Sequence, residues 1–140
     1  QSIPGVTIEF PRGGPDGKGR AMRLAFDHQR VAFQHVRQWQ LLSAGQYKLI
    51  VRAQAAELRS ERGLVWMVSC VPSGLELART EPIRGQHDWR TVEVGFEVPA
   101  QGCDAQELVL MLPARIASEQ QISGEVWFDE IVIRRVAANP

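Results

Sequence analysis

The sequence has little of what most functional classes require. Its 140 residues include only two cysteines and three histidines, and 16 basic side chains are balanced by 16 acidic ones. Cys70 and Cys103 make no CxxC pair, so zinc and thioredoxin-type readings lack their spacing. His28, His35 and His87 form neither HExxH nor HxH, which removes the common metal-ligand patterns. A net charge of zero, with Arg134-Arg135 as the longest basic run, argues against nucleic acid as a partner. No apolar stretch approaches the roughly 20 residues of a membrane-crossing helix, so direct membrane insertion is not expected. There is no GxSxG elbow, and the nearest serine loop, "VPSGL", has the wrong flanks. "RGGPDGKGR" lacks the spacing of a phosphate loop and reads as a flexible hairpin connection. With no acid–base pair singled out either, the chain is not expected to be an enzyme.

What is present is a period of two. "TVEVGFEV" puts Val92, Val94, Phe96 and Val98 on one face and Thr91, Glu93 and Glu97 on the other. "MRLAF" aligns Met22, Leu24 and Phe26; "YKLIVRAQA" aligns Tyr47, Leu49, Val51 and Ala53, with Lys48, Arg52 and Gln54 opposite. "LVWMVSCV" and "LVLML" are apolar on both faces, as central strands are. Glycine and proline punctuate these runs at the spacing of an antiparallel β-sandwich. Nothing marks a repeat or linker, so residues 1–140 read as one domain, large enough to bury a core. The start at Gln1, with no signal-like segment, leads us to expect a processed product or a piece excised from a longer protein.

Two stretches are less plain. "DHQRVAFQHVRQWQLLSAG" fits an amphipathic helix as well as a strand. Within it Trp39 stands among Gln34, His35, Arg37, Gln38 and Gln40, where an indole face beside amide and guanidinium donors suits a sugar ring. Trp66, Trp89 and Trp127 lie in or beside apolar patterns and are expected to pack in the core. "SGEVWFDEIVIRRV" is an apolar strand with two acids in its middle. Trp127, Asp129 and Ile131 share one parity, which predicts Asp129 largely buried on the core face. The two cysteines are either independent buried thiols or one disulfide between a strand and a distant loop; a disulfide would imply an oxidising compartment.

The order "LLSAGQYKLIVRAQA", "GLVWMVSC", "HDWRTVEVGFEVP", "LVLML", "SGEVWFDEIVIRRV" resembles the galactose-binding-like jelly-roll modules, including carbohydrate-binding modules attached to glycanases. Gly45-Gln46-Tyr47, Trp89 and Phe128-Asp129-Glu130-Ile131 carry the likeness. With Cys70 and Cys103, the pattern is closest to the C-terminal module of bacterial exported tetratricopeptide-repeat proteins. The resemblance implies a strand for the ambiguous stretch, with Gly45-Gln46-Tyr47 turning a hairpin. It implies a structural calcium held by Glu9 and Asp129; the alternative is Asp129 accepting backbone N–H bonds. The fold expected is an all-β antiparallel jelly-roll sandwich with Cys70 and Cys103 bonded. The function expected is that of a non-catalytic accessory module of a larger exported bacterial protein, in the periplasm, on the cell surface or secreted. Its partner would be a glycan, in a groove lined by His35, Arg37, Trp39, Arg52 and Gln54, or alternatively a protein.

Overall fold

The structure, a computed structural model, describes residues 6–9, 21–30 and 36–136, with the backbone alone for 28–30. The glycine-rich stretch 11–20, His35 and its neighbours from 31 lie outside the described residues. Among the described residues nine strands follow in chain order: β1 (Val6–Glu9), β2 (Met22–Arg30), β3 (Val36–Gln40), β4 (Gly45–Arg59), β5 (Val65–Val71), β6 (Glu76–Arg79), β7 (Gly85–Val98), β8 (Ala105–Met111) and β9 (Gln121–Arg135). A 3₁₀ turn, Ala117–Gln120, precedes β9.

They form two sheets, ordered β1-β2-β9-β4-β7 and β3-β8-β5-β6, with every pairing antiparallel. The alternation read from the sequence decides what faces inward. Leu24 and Phe26 of β2, Leu49, Val51 and Ala53 of β4, Val92 and Phe96 of β7, and Leu108 and Leu110 of β8 are buried in one core. Val94 is half-buried against it. Trp66 and Phe128 meet edge to face at 5.3 Å, one from each sheet. The both-faces-apolar expectation holds for β5 and β8, which are the central pair of their sheet. Val65 and Val109 are buried on its outward side while Trp66, Val68 and Leu110 fill its inward side.

Where it is described, the ambiguous stretch is strand over 27–30 and 36–40, but Gly45-Gln46-Tyr47 does not turn a hairpin. β3 pairs with β8 and β4 with β7 and β9, so residues 41–44 carry the chain from one sheet to the other. The corner is tied by side chains instead. The Tyr47 hydroxyl donates to the Ser43 carbonyl at 2.7 Å and accepts from Arg135 Nη1 at 2.8 Å. The fully buried Gln106 amide accepts from the Leu42 N–H at 2.8 Å and donates to the Cys103 carbonyl at 3.2 Å. Cys70 and Cys103 are disulfide-bonded, with Cα atoms 4.8 Å apart, which settles the choice between thiols and bridge.

β9 contains the largest departure from simple alternation. Opposite β4 the register runs Arg52 to Glu130 and then Ala53 to Phe128, so Asp129 is an extra residue with no partner. This bulge reverses the parity of the strand. Val126 and Phe128 face the core before it; Ile131 and Ile133 pack against the core after it. Trp127 and Asp129 therefore lie on the outward face and not on the core face that parity predicts, although Asp129 is largely buried as expected. A second irregularity lies between Ala56 and Arg59, where Glu57 has φ 47°. There a Cβ on Gly124 would stand 2.1 Å from the Glu57 carbonyl oxygen, so only glycine lets the two strands approach.

Candidate functional site on the five-stranded sheet

The outward face of the five-stranded sheet collects aromatic and charged side chains in register. Glu9 of β1 lies opposite Arg23 of β2, Arg23 opposite Trp127 of β9, and Trp127 opposite Gln54 of β4. Gln54 Nε2 then reaches Asp88 Oδ1 of β7 at 3.2 Å, so one line of polar and aromatic groups crosses all five strands. The β7 irregularity opposite Ala53 and Ala55 sets Trp89 beside this line.

Each of the two outward indoles is half-buried and carries an arginine. Arg23 Cζ is 5.8 Å from the Trp127 ring centre, and Arg52 Cζ is 4.5 Å from that of Trp89. The guanidiniums are themselves held. Arg23 bridges Glu9 and Glu125, donating to Glu125 Oε1 at 2.9 Å from Nη2. The hydrogen bond to Glu125, followed by the charges of Glu125 and Glu9, outweighs partial desolvation and raises the Arg23 pKa above its ordinary value. Arg52 Nη1 donates to Asp129 Oδ2. The Asp129 side chain is only 15% exposed, and its second oxygen, Oδ1, is buried with no hydrogen-bond partner.

The acid in the last strand thus has neither of the roles its family likeness and parity suggested. Its partner is an arginine, not a set of backbone N–H groups. A calcium ion would need six to eight oxygen ligands. Glu9 and Asp129 are instead engaged by different arginines, and no group of three or more His, Cys, Asp or Glu side chains converges among the described residues. This donor set does not fit calcium.

The five residues expected to line one groove are not brought together. Arg52 and Gln54 lie on the five-stranded face. Arg37 and Trp39 are on β3, at the edge of the other sheet, where Arg37 pairs with Glu107 at 2.9 Å and Trp39 is 63% exposed. His35 lies outside the described residues. The residues that sequence reasoning missed are Arg23, Trp89 and Trp127. For Trp89 a signal was present: it shares the parity of Thr91 and Glu93, the polar side of "TVEVGFEV". For Trp127 the bulge concealed it.

Chemically, the face offers two flat apolar surfaces within a field of guanidinium, carboxamide and carboxylate groups. An indole face accepts the C–H side of a ring while the surrounding groups bond its hydroxyls.

No family model matches the chain, and no curated protein matches it. Solved structures do. It is similar to a CBM4 carbohydrate-binding module (TM-score 0.66, 12% identity, covering 94% of this chain and 79% of that one). A putative sugar binding protein from Bacteroides thetaiotaomicron gives 0.62 at 11% identity, covering 97% and 85%. The CBM22-1 xylan-binding domain of Paenibacillus barcinonensis Xyn10C gives 0.57 at 10% identity, covering 99% and 86%. At these identities the likeness establishes the fold, which is the jelly-roll sandwich of such modules.

Proposed function

We propose that this chain is a non-catalytic carbohydrate-binding module that holds glycan on the outward face of its five-stranded sheet. The observation that carries the reading is the pair of half-buried indoles, Trp89 and Trp127, set in one field with Arg23, Arg52, Gln54 and Asp88. The fold shared with carbohydrate-binding modules supports it. A disulfide is at home in an oxidising compartment, which supports a place outside the cytoplasm; membership of a larger exported protein, of the tetratricopeptide-repeat kind that the segment order resembles, is part of the same proposal.

Both tryptophans are capped by arginines, so binding requires either that the guanidiniums stay and hydrogen-bond the sugar, or that they swing aside. Affinity electrophoresis on soluble β-glucan, xylan and mannan gels tests the reading directly. Retardation is expected on at least one polysaccharide. Trp89→Ala and Trp127→Ala should each remove most of it while changing the melting temperature little. Retardation that survives both substitutions would overturn the site.

A second reading has its own observation. On edge strand β3 and just beyond it, Trp39 and Leu41 are 63% and 86% exposed. An exposed apolar edge of this kind suits a protein partner. Trp39→Ala should leave glycan retardation unchanged if the five-stranded face is the site. Loss of retardation would move the glycan to β3.

A further inference from the structure

Between the connections at one end of the sandwich, and lined by neither Trp89 nor Trp127, lies an open pocket of about 290 Å³. Its walls come from the β4–β5 turn (Glu61, Arg62), the start of β5 (Val65), and the segment from Arg79 through Thr80 and Pro82 to Arg84 between β6 and β7. Pro113, after β8, completes it. Its size is at the lower end of the roughly 300–1,000 Å³ typical of small-molecule sites, enough for one ring-sized ligand.

The walls are held in place by backbone. Leu64 and Ile83 exchange N–H···O bonds at 3.0 and 2.8 Å, stitching the two connecting segments together. Gly63, at φ +75°, lets Pro82 come so near that a Cβ would lie 2.8 Å from the proline's own Cβ.

Three guanidiniums border this pocket. Arg62 Nε donates to the Pro113 carbonyl at 3.4 Å, and Arg84 Nη1 donates to the Glu61 carbonyl. Both contacts are to neutral oxygens, so neither cation is neutralised by a carboxylate among the described residues. Arg79 is paired with Glu76 at 2.9 Å. Thr80 is buried, its Oγ accepts the Trp66 N–H at 3.0 Å, and its own hydroxyl proton has no described acceptor. Against these stands one carboxylate, Glu61, exposed at the rim. Two uncompensated guanidiniums oriented by backbone carbonyls, a third beside them and a buried hydroxyl are the donors an oxyanion requires. Val65, Pro82 and Pro113 supply apolar wall for a carbon frame.

We propose that this pocket binds an oxyanion group, a carboxylate or sulfate, borne on a ligand of about one sugar ring. The proposal is independent of the five-stranded face. It is tested by isothermal titration of the protein with glucuronate, glucose and inorganic sulfate at low salt. Glucuronate should bind and glucose should not. Arg62→Gln and Arg84→Gln should each weaken glucuronate about tenfold, as loss of a charge-assisted contact does. Arg134→Gln, which removes the same charge elsewhere, should leave it unchanged, and so should Trp89→Ala. Sulfate binding as tightly as glucuronate would keep the oxyanion site and overturn the sugar ring as its carrier. No saturable anion binding would overturn the proposal, as would binding equally reduced by Arg134→Gln.

Discussion

The two sheets treat their outward faces differently. The five-stranded face is laced with ion pairs: Glu9–Arg23–Glu125 on one side, Arg52–Asp129 near the middle and Lys48–Glu93 towards β7. The four-stranded sheet keeps apolar residues outward, with Val65 and Val109 buried there, and is stapled covalently by Cys70–Cys103 between β5 and the approach to β8. The first arrangement presents hydrogen-bonding groups that a polar ligand can use. The second carries its ion pairs, Arg37–Glu107 and Arg79–Glu76, at its edge strands β3 and β6, with the apolar Val65 and Val109 between them. The contrast is one of placement: ion pairs run across the five-stranded face, while on the four-stranded sheet they stay at the edge strands, where Trp39 is also exposed.

Breaking the staple should give the largest effect. The bridge spans 33 residues, and by loop entropy its loss costs about 3–4 kcal/mol. Denaturant unfolding of the Cys70→Ser/Cys103→Ser protein measures this. Hydrogen exchange should show β5 and β8 losing protection before β4 and β9; uniform loss would mean that the two sheets are one mechanical unit.

A smaller effect is expected in the middle of the laced face. Asp129→Ala removes the Arg52–Asp129 pair from one side, and Arg52→Ala leaves a mostly buried acid without its arginine. Each should cost about 1–3 kcal/mol, and the double variant should cost less than the sum of the two. Additive losses would separate the pair. Chelator should leave the wild-type melting curve unchanged; a drop reversed by calcium would restore the metal.

The least effect belongs to the rim. Glu9 is half exposed, so Glu9→Gln should cost roughly 0.2–1 kcal/mol, and less as salt is raised. A loss that does not respond to salt would mean that Glu9 packs rather than pairs.

How much of this was readable beforehand follows from what period two can encode. It says which side chains share a face, and so it places Val92 and Phe96 inward and the pair Arg52 and Gln54 outward. It does not say which sheet a strand joins. Alternation alone therefore sets Trp39 and Arg52 in one groove, although β3 and β4 belong to different sheets. Nor does it count residues on the partner strand, and a bulge is such a count. The clue to it lay in the run itself. Val126 and Phe128 are apolar at even positions, Ile131 and Ile133 at odd ones, and a strand whose apolar parity switches needs one residue to be skipped. Asp129 is that residue. The pocket of arginines is unreadable because Arg62 lies in the β4–β5 connection while Arg79 and Arg84 flank the β6–β7 connection, and the two meet only when Leu64 bonds to Ile83.

The position of β9 also governs the order in which the chain can assemble. Among the described strands β9 comes last in the chain, yet in its sheet it lies between β2 and β4. During synthesis β1 can pair with β2, and β4 with β7, but these two halves share no edge until residues 121–135 have emerged. Insertion of a final strand between two waiting edges closes long loops late, a topology associated with slow folding. Until then the facing edges of β2 and β4 are open to any other strand, and it is the newly made chain, rather than the finished domain, that most needs protection from aggregation.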